Sequence, residues 1–209
     1  MKKYNPLLKY AGAAAAAVYV LFTFVSHLFN TGIAPLTNWL SDLGNPNLNS
    51  SGALYYNLGC ILAASLLVLF YTGISQWYRG KAVPKKFMFS YLFARISGYV
   101  AAAFLVLASL FPLGTSTAIH SFFSQYNMIG INCFMSFMAV AFIMHPAGKK
   151  GLAALGLAAT AFNIITTNAF TDLYIAEWIY FGLFIIYVSI ITAQYEKIAG
   201  LPQLRMQAA

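Results

Sequence analysis

Six long apolar runs, at 7–29, 52–78, 87–111, 117–144, 149–171 and 174–196, decide what this chain can fold into. Each reaches the length of about 20 mostly apolar residues that an α-helix needs to cross a bilayer. None alternates polar with apolar as barrel strands do, and a single segment can cross lipid only if it satisfies its own backbone, as a helix does. The expected fold is therefore all-α: one domain over 1–209, a bundle of six transmembrane helices. Charge agrees, since only 8% of the 209 residues are charged, against about 25% in a soluble domain.

The first run continues to about Phe29, too far for a secretory h-region, and no small-x-small cleavage pattern follows. It reads as a retained first helix. The net charge of +8 would suit a nucleic-acid partner only if it were gathered in a patch. It is not. Eleven of the twelve Lys and Arg residues lie before helix 1 or in its first turn, between helices 2 and 3, at the junction of helices 4 and 5, or after helix 6. The connections 30–51, 112–116 and 172–173 hold none. That asymmetry predicts a multi-pass protein of the cell membrane with both termini cytoplasmic. It excludes nucleic acid as a partner and leaves Lys81, Lys85 and Lys86 to meet anionic lipid heads. Three of the four carboxylates, Asp42, Asp172 and Glu177, fall on the opposite, outer side. The two cysteines, Cys60 and Cys133, fall inside spans at different depths and are too few for a sulfur-rich metal site.

The segment 37–46, Thr-Asn-Trp-Leu-Ser-Asp-Leu-Gly-Asn-Pro, is the least lipid-like part of the first half. Pro35 can start a short helix and Gly44 can end one, so a two-turn surface helix is expected over 35–43, with Asp42 in its last turn. Asn49-Ser50-Ser51 on the same connection matches a glycosylation sequon.

Helix 4 carries His120, Ser121, Ser124, Gln125, Asn132 and Ser136 on one broad face, a stripe that must meet protein or a water-filled cavity rather than lipid. Helix 5 adds Asn163, helix 2 Asn57 and helix 1 His27. Arg95, two to three turns into helix 3, either snorkels to the inner interface or holds a lipid headgroup. His145 reads as a helix stop. Glu177, in the first turn of helix 6, is favoured there by the helix dipole.

The outer side thus gathers Asp42, His120 and Glu177 as candidate catalytic residues, with His27, Asn57, Ser121, Ser124, Gln125 and Asn163 as candidate ligand contacts. Histidine titrates near neutrality and carboxylates orient it, which is acid–base chemistry. Ser121 or Ser124 would be the nucleophile beside His120. Asp42, His120 and Glu177 also offer N and O ligands for one divalent metal ion, the only cofactor the sequence brings to mind.

Ser41-Asp42-Leu43-Gly44-Asn45-Pro46 after helix 1, Phe111-Pro112 with His120-Ser121 at the helix 3–4 turn, and the six-span layout resemble a family of prokaryotic membrane proteins of unknown function, common in archaea. More distantly, Leu40-Ser41-Asp42, His120 and Ala176-Glu177-Trp178 are similar, in order, to motifs of the DRAM (damage-regulated autophagy modulator) and FGF-receptor-activating protein families. That resemblance implies a lipid-related role at the outer face centred on Asp42, His120 and Glu177. Three functions are expected in this order: a protein that binds, senses or modifies a lipid or glycolipid headgroup, with acyl-transfer or hydrolase-like chemistry if it is an enzyme; an accessory subunit among other membrane subunits; and a transporter. The last is disfavoured because no three-plus-three repeat and no mid-span proline is present.

Overall fold

The computed structural model describes residues 5–77, 85–144, 149–170 and 172–200. His145, Lys81, and the expected span ends at 78 and 171 lie outside the described residues. Among the described residues seven α-helices follow in order: α1 (Pro6–Phe29), α2 (Ala53–Ile74), α3 (Lys85–Leu110), α4 (Thr117–Met144), α5 (Lys150–Ala169), α6 (Tyr174–Ala193) and the short α7 (Tyr195–Gly200). No strand occurs among the described residues. The first six α-helices are long and apolar enough to cross a membrane, α2 together with a 3₁₀ turn at Ser75–Trp77. The chain is a multi-pass membrane protein.

Each helix starts or stops where the sequence supplies a reason. Asn5 accepts from the Leu7 N–H at 3.0 Å and Pro6 opens α1. Pro112 follows α3 by two residues, and Gln194 separates α6 from α7. The core is aromatic and alanine-rich. Phe70, Tyr71, Phe134, Tyr180 and Tyr187 are fully buried among Ala11, Ala15, Ala63, Ala101 and Ala102, whose small side chains let the helices approach.

The two ends of the bundle differ. At one, Lys9 and Glu196 form an exposed ion pair, Tyr195 donates to the Gly73 carbonyl, and Arg95 meets the end of α2. There the Ser75 N–H turns to the Thr72 and Gly73 carbonyls. The Tyr71 carbonyl is taken instead by Arg95 Nε at 3.0 Å, while Nη2 donates to Tyr99 Oη at 3.1 Å. Arg95 therefore satisfies protein groups at a helix C-terminus, where a cation is favoured. Neither free snorkelling nor a headgroup is needed to explain its depth.

The other end is closed by the α1–α2 connection, and here the expectation of a surface helix over 35–43 is corrected. The helical part is a 3₁₀ turn, Leu40–Gly44, and Leu40, Asp42, Leu43 and Gly44 are buried. It is a plug set into the mouth of the bundle. Asparagine amides hold it by satisfying loop carbonyls: Asn30 Nδ2 to Leu48 O (2.7 Å), Asn57 Nδ2 to Gly44 O (2.9 Å), and Asn47 Nδ2 to Gly114 O (3.1 Å) in the α3–α4 turn. Gly114 has φ +86°, a left-handed conformation that favours glycine, and it ends its turn against Asn45. Asn49 is only 2% exposed; its Nδ2 faces Ser26 O, Ser26 Oγ and Leu43 O at 3.0–3.2 Å. A glycan on that nitrogen is incompatible with this packing, so the sequon is a structural knot in the folded chain.

Candidate functional site

Beneath the plug lies a cavity of about 20 Å³, room for one water molecule. Its wall includes Ser41 of the plug, Asn57 and Cys60 of α2, Ser109 of α3, His120, Ser124 and Asn127 of α4, and Glu177 of α6. Five separate segments build it.

His120 is set by the proline before it. In α3 the Ala108 carbonyl would normally accept from residue 112, but Pro112 has no N–H. His120 Nδ1 fills the vacancy, 3.0 Å from Ala108 O and 3.1 Å from Phe111 O. Both partners are acceptors, so Nδ1 carries the proton. In the neutral ring Nε2 is then a bare lone pair. It is buried without a hydrogen-bond partner in a side chain 8% exposed. The imidazole is thus fixed in one tautomer with its basic nitrogen free for a ligand.

Glu177 is 7% exposed and receives Ser41 N–H at 3.3 Å and Ser41 Oγ at 3.4 Å. A carboxylate at the first amides of the 3₁₀ turn compensates its orphan donors. Next to it Trp178 Nε1 donates to Asn38 O at 3.0 Å, and Trp39 meets the Tyr174 ring edge-on at 4.8 Å. The start of α6 is what holds the plug down.

Asp42 does a different job from the one expected. It stands in the first turn of the plug, not the last, and its Oδ2 accepts from Trp39 N at 3.0 Å, closing that turn on itself. It is not part of the cavity wall. The metal set Asp42, His120 and Glu177 is not assembled: among the described residues no three His, Cys, Asp or Glu side chains gather to hold an ion.

The polar stripe on α4 also divides. His120, Ser124 and Asn127 turn inward, with Asn127 Nδ2 on Ala101 O at 2.8 Å, whereas Ser121 and Gln125 are exposed on the outer face of the helix. Ser124 is therefore the only one of the two candidate nucleophiles that shares a wall with His120. Farther along, Asn132 joins Asn163 of α5 (2.7 Å) and Tyr180 of α6 (2.7 Å). This is a seam between three helices, away from the cavity. His27 lies apart too, in a groove between α1 and α6. Arg95 is at the far end. Sequence reasoning missed Ser41, Ser109 and Asn127; the signal for Asn127 was its spacing, seven residues after His120 on the same helical face.

A family model described as "Protein of unknown function (DUF998)" matches residues 13–194. The chain belongs to the DUF998 family. The match takes in all of α2 to α6, α1 from residue 13 onward, the plug, and every residue of the cavity wall. No curated protein and no solved structure matches the chain.

Proposed function

We propose that this DUF998 protein binds a membrane lipid by its polar head at the plug end of the bundle, with His120 and Glu177 as the contacting groups. The observation that carries the reading is the buried, unpartnered Nε2 of His120 on the wall that Glu177 shares. No protein group donates to this lone pair, so a bound molecule that brings a donor into the cavity is stabilised there.

The chemistry narrows the head. Connections 30–51, 112–116 and 172–173 contain no Lys or Arg, so a phosphate finds no counter-charge at this end. A hydroxyl-bearing head, as in a glycolipid, fits. One hydroxyl donates to His120 Nε2, and another replaces Ser41 as donor to Glu177 when the plug lifts. Asn57 and Ser124 stand beside them. The similarity to DRAM and FGF-receptor-activating proteins supports the same lipid-related reading. The lysine and arginine distribution supports an outer position for the plug end and cytoplasmic termini in the cell membrane. Should the protein prove to be an enzyme, His120 is placed to take the hydroxyl proton in an acyl transfer or hydrolysis.

The test is mass spectrometry of lipids retained through purification by wild type and His120→Ala. Wild type is expected to enrich one hydroxyl-headed lipid class over the host membrane, and the variant to stay folded but lose that enrichment, with a drop in stability of about 1–3 kcal/mol from the Ala108 and Phe111 carbonyls that lose their donor. Identical profiles would sink the reading and move the weight to an accessory subunit recognised by stable co-purification with a partner.

A further inference from the structure

Three spaces meet at one side chain. Phe181 lines the polar cavity beneath the plug, an almost wholly apolar void of about 30 Å³ at the bundle centre, and an open groove of about 290 Å³ between α1 and α6. We propose that an acyl chain of a single membrane lipid enters the bundle sideways through this groove, past Phe181, and lies in the central void. The inference deepens the headgroup reading by giving the same lipid's tail a place, but its evidence is separate.

The groove opens on the face that the membrane surrounds, so acyl chains are what it meets. Three side chains, Tyr19, Phe181 and Ile185, line both the groove and the void, and the ring of Phe181 stacks on that of Tyr19 at 6.0 Å. The void exists because alanines of α1, α2 and α3 converge there. Such a space forfeits dispersion contacts when empty and does not suit water, whereas hydrocarbon suits it. α1 and α6 are the first and last spans and no connection joins them directly; the plug contacts of Glu177 and Trp178 tie them at one end and the Lys9–Glu196 pair at the other, so the seam opens between these ties, where Phe181 lies. On α6, Gly182 leaves the groove open, since a Cβ there would meet no atom within 4 Å. At the mouth His27 Nδ1 is buried without a partner, a polar stop at the depth where a chain joins its head. In the closed form the void is too small for a chain. Rotation of Phe181 off Tyr19 joins it to the groove.

The experiment feeds expressing cells a palmitic acid with a diazirine part-way along its chain, which they build into all their acyl lipids. Irradiation and peptide mapping follow. Crosslinks are expected on Ala63, Ala101 and Ala102, at most 2% exposed and reachable only from inside, as well as on lipid-facing Ile164 and Ile165 of α5. Gly182→Phe and Val20→Trp each narrow the groove from an open position; each is expected to remove the internal crosslinks and leave those on α5, whose persistence reports an intact fold. Crosslinks confined to lipid-facing residues, or internal ones that survive both substitutions, would overturn the proposal. His120→Ala separates the two readings: lost head-group selectivity with internal crosslinks intact places a tail in the void independently of the head. Selectivity unaffected by Gly182→Phe, with no internal crosslinks in wild type, leaves the head site standing and removes the side entrance.

Discussion

Asn49 shows how a residue that reads as solvated loop can be among the best-buried polar groups at its end of the protein. Its amide ties α1 to the plug through Ser26 and Leu43, and its Oδ1 accepts from Gly52 N at 3.2 Å where α2 begins. Asn49→Ala strands several buried groups at about 1–3 kcal/mol for each donor or acceptor left unpaired. The expected outcome is a loss of roughly 3 kcal/mol in stability, read as a lowered unfolding midpoint in detergent. Glu177→Ala is expected to cost about 1–3 kcal/mol, because two donors of Ser41 lose their acceptor. Glu177→Gln keeps an acceptor oxygen and recovers part of that; equal losses in the two variants would show that the carboxylate does not hold the plug. Residue identity alone foretold little of this. The inward position of His120 was legible from the polar face of helix 4, but its anchoring to the carbonyl that Pro112 leaves without a donor emerged only in the structure. The role of Asn49 was not legible, since an asparagine that caps a distant carbonyl looks in sequence like one that faces water.

At the scale of elements, the six spans were legible to within a few residues because length and hydropathy set them. The plug was not. Residues 30–52 are polar enough to read as surface, and only their partners, drawn from α1, α2, α6 and the α3–α4 turn, reveal that Leu40, Asp42, Leu43, Gly44 and Asn49 among them are buried. The polar face of α4 failed for a related reason. Six polar residues on one broad arc met different neighbours, the cavity at His120 and the α5–α6 seam at Asn132, and Ser121 and Gln125 met none. The α3 end supplies a sharp prediction. Pro112→Ala offers the Ala108 carbonyl a backbone N–H and withdraws one of the two acceptors that fix His120 Nδ1. Retention of the bound lipid is expected to fall while the unfolding midpoint stays close to wild type. Arg95 at the opposite end behaves in the reverse way. Arg95→Ala uncaps α2 and is expected to lower stability by about 1–3 kcal/mol. Arg95→Lys rescues it only in part, because an ammonium on a flexible stem does not offer the planar fork that meets the Tyr71 carbonyl and Tyr99 hydroxyl together. Lipid retention is expected to be unchanged in both.

For the whole molecule the sidedness of the bundle decides which leaflet supplies the lipid. The charge asymmetry that argues for an outer plug is strong in the sequence, because connections 30–51, 112–116 and 172–173 lack Lys and Arg altogether while the alternate connections and the two tails hold eleven of the twelve. The plug end is closed by neutral asparagine hydrogen bonds and the buried carboxylates Asp42 and Glu177, so nothing in it resists a position outside the cell. Ser50 is exposed beside the plug and Lys150 is exposed at the start of α5, on the opposite side of the membrane in this reading. Cys60 is buried and Cys133 half-buried, so Cys133→Ala gives a quiet background for labelling. In that background a membrane-impermeant maleimide is expected to label Ser50→Cys on intact cells, and Lys150→Cys only after the membrane is opened. The head site would then face the outer leaflet, and the α1–α6 groove would draw chains from it. The reverse labelling pattern would turn the bundle over, make the cytoplasmic leaflet the source of the lipid, and leave the internal geometry of the site as it stands.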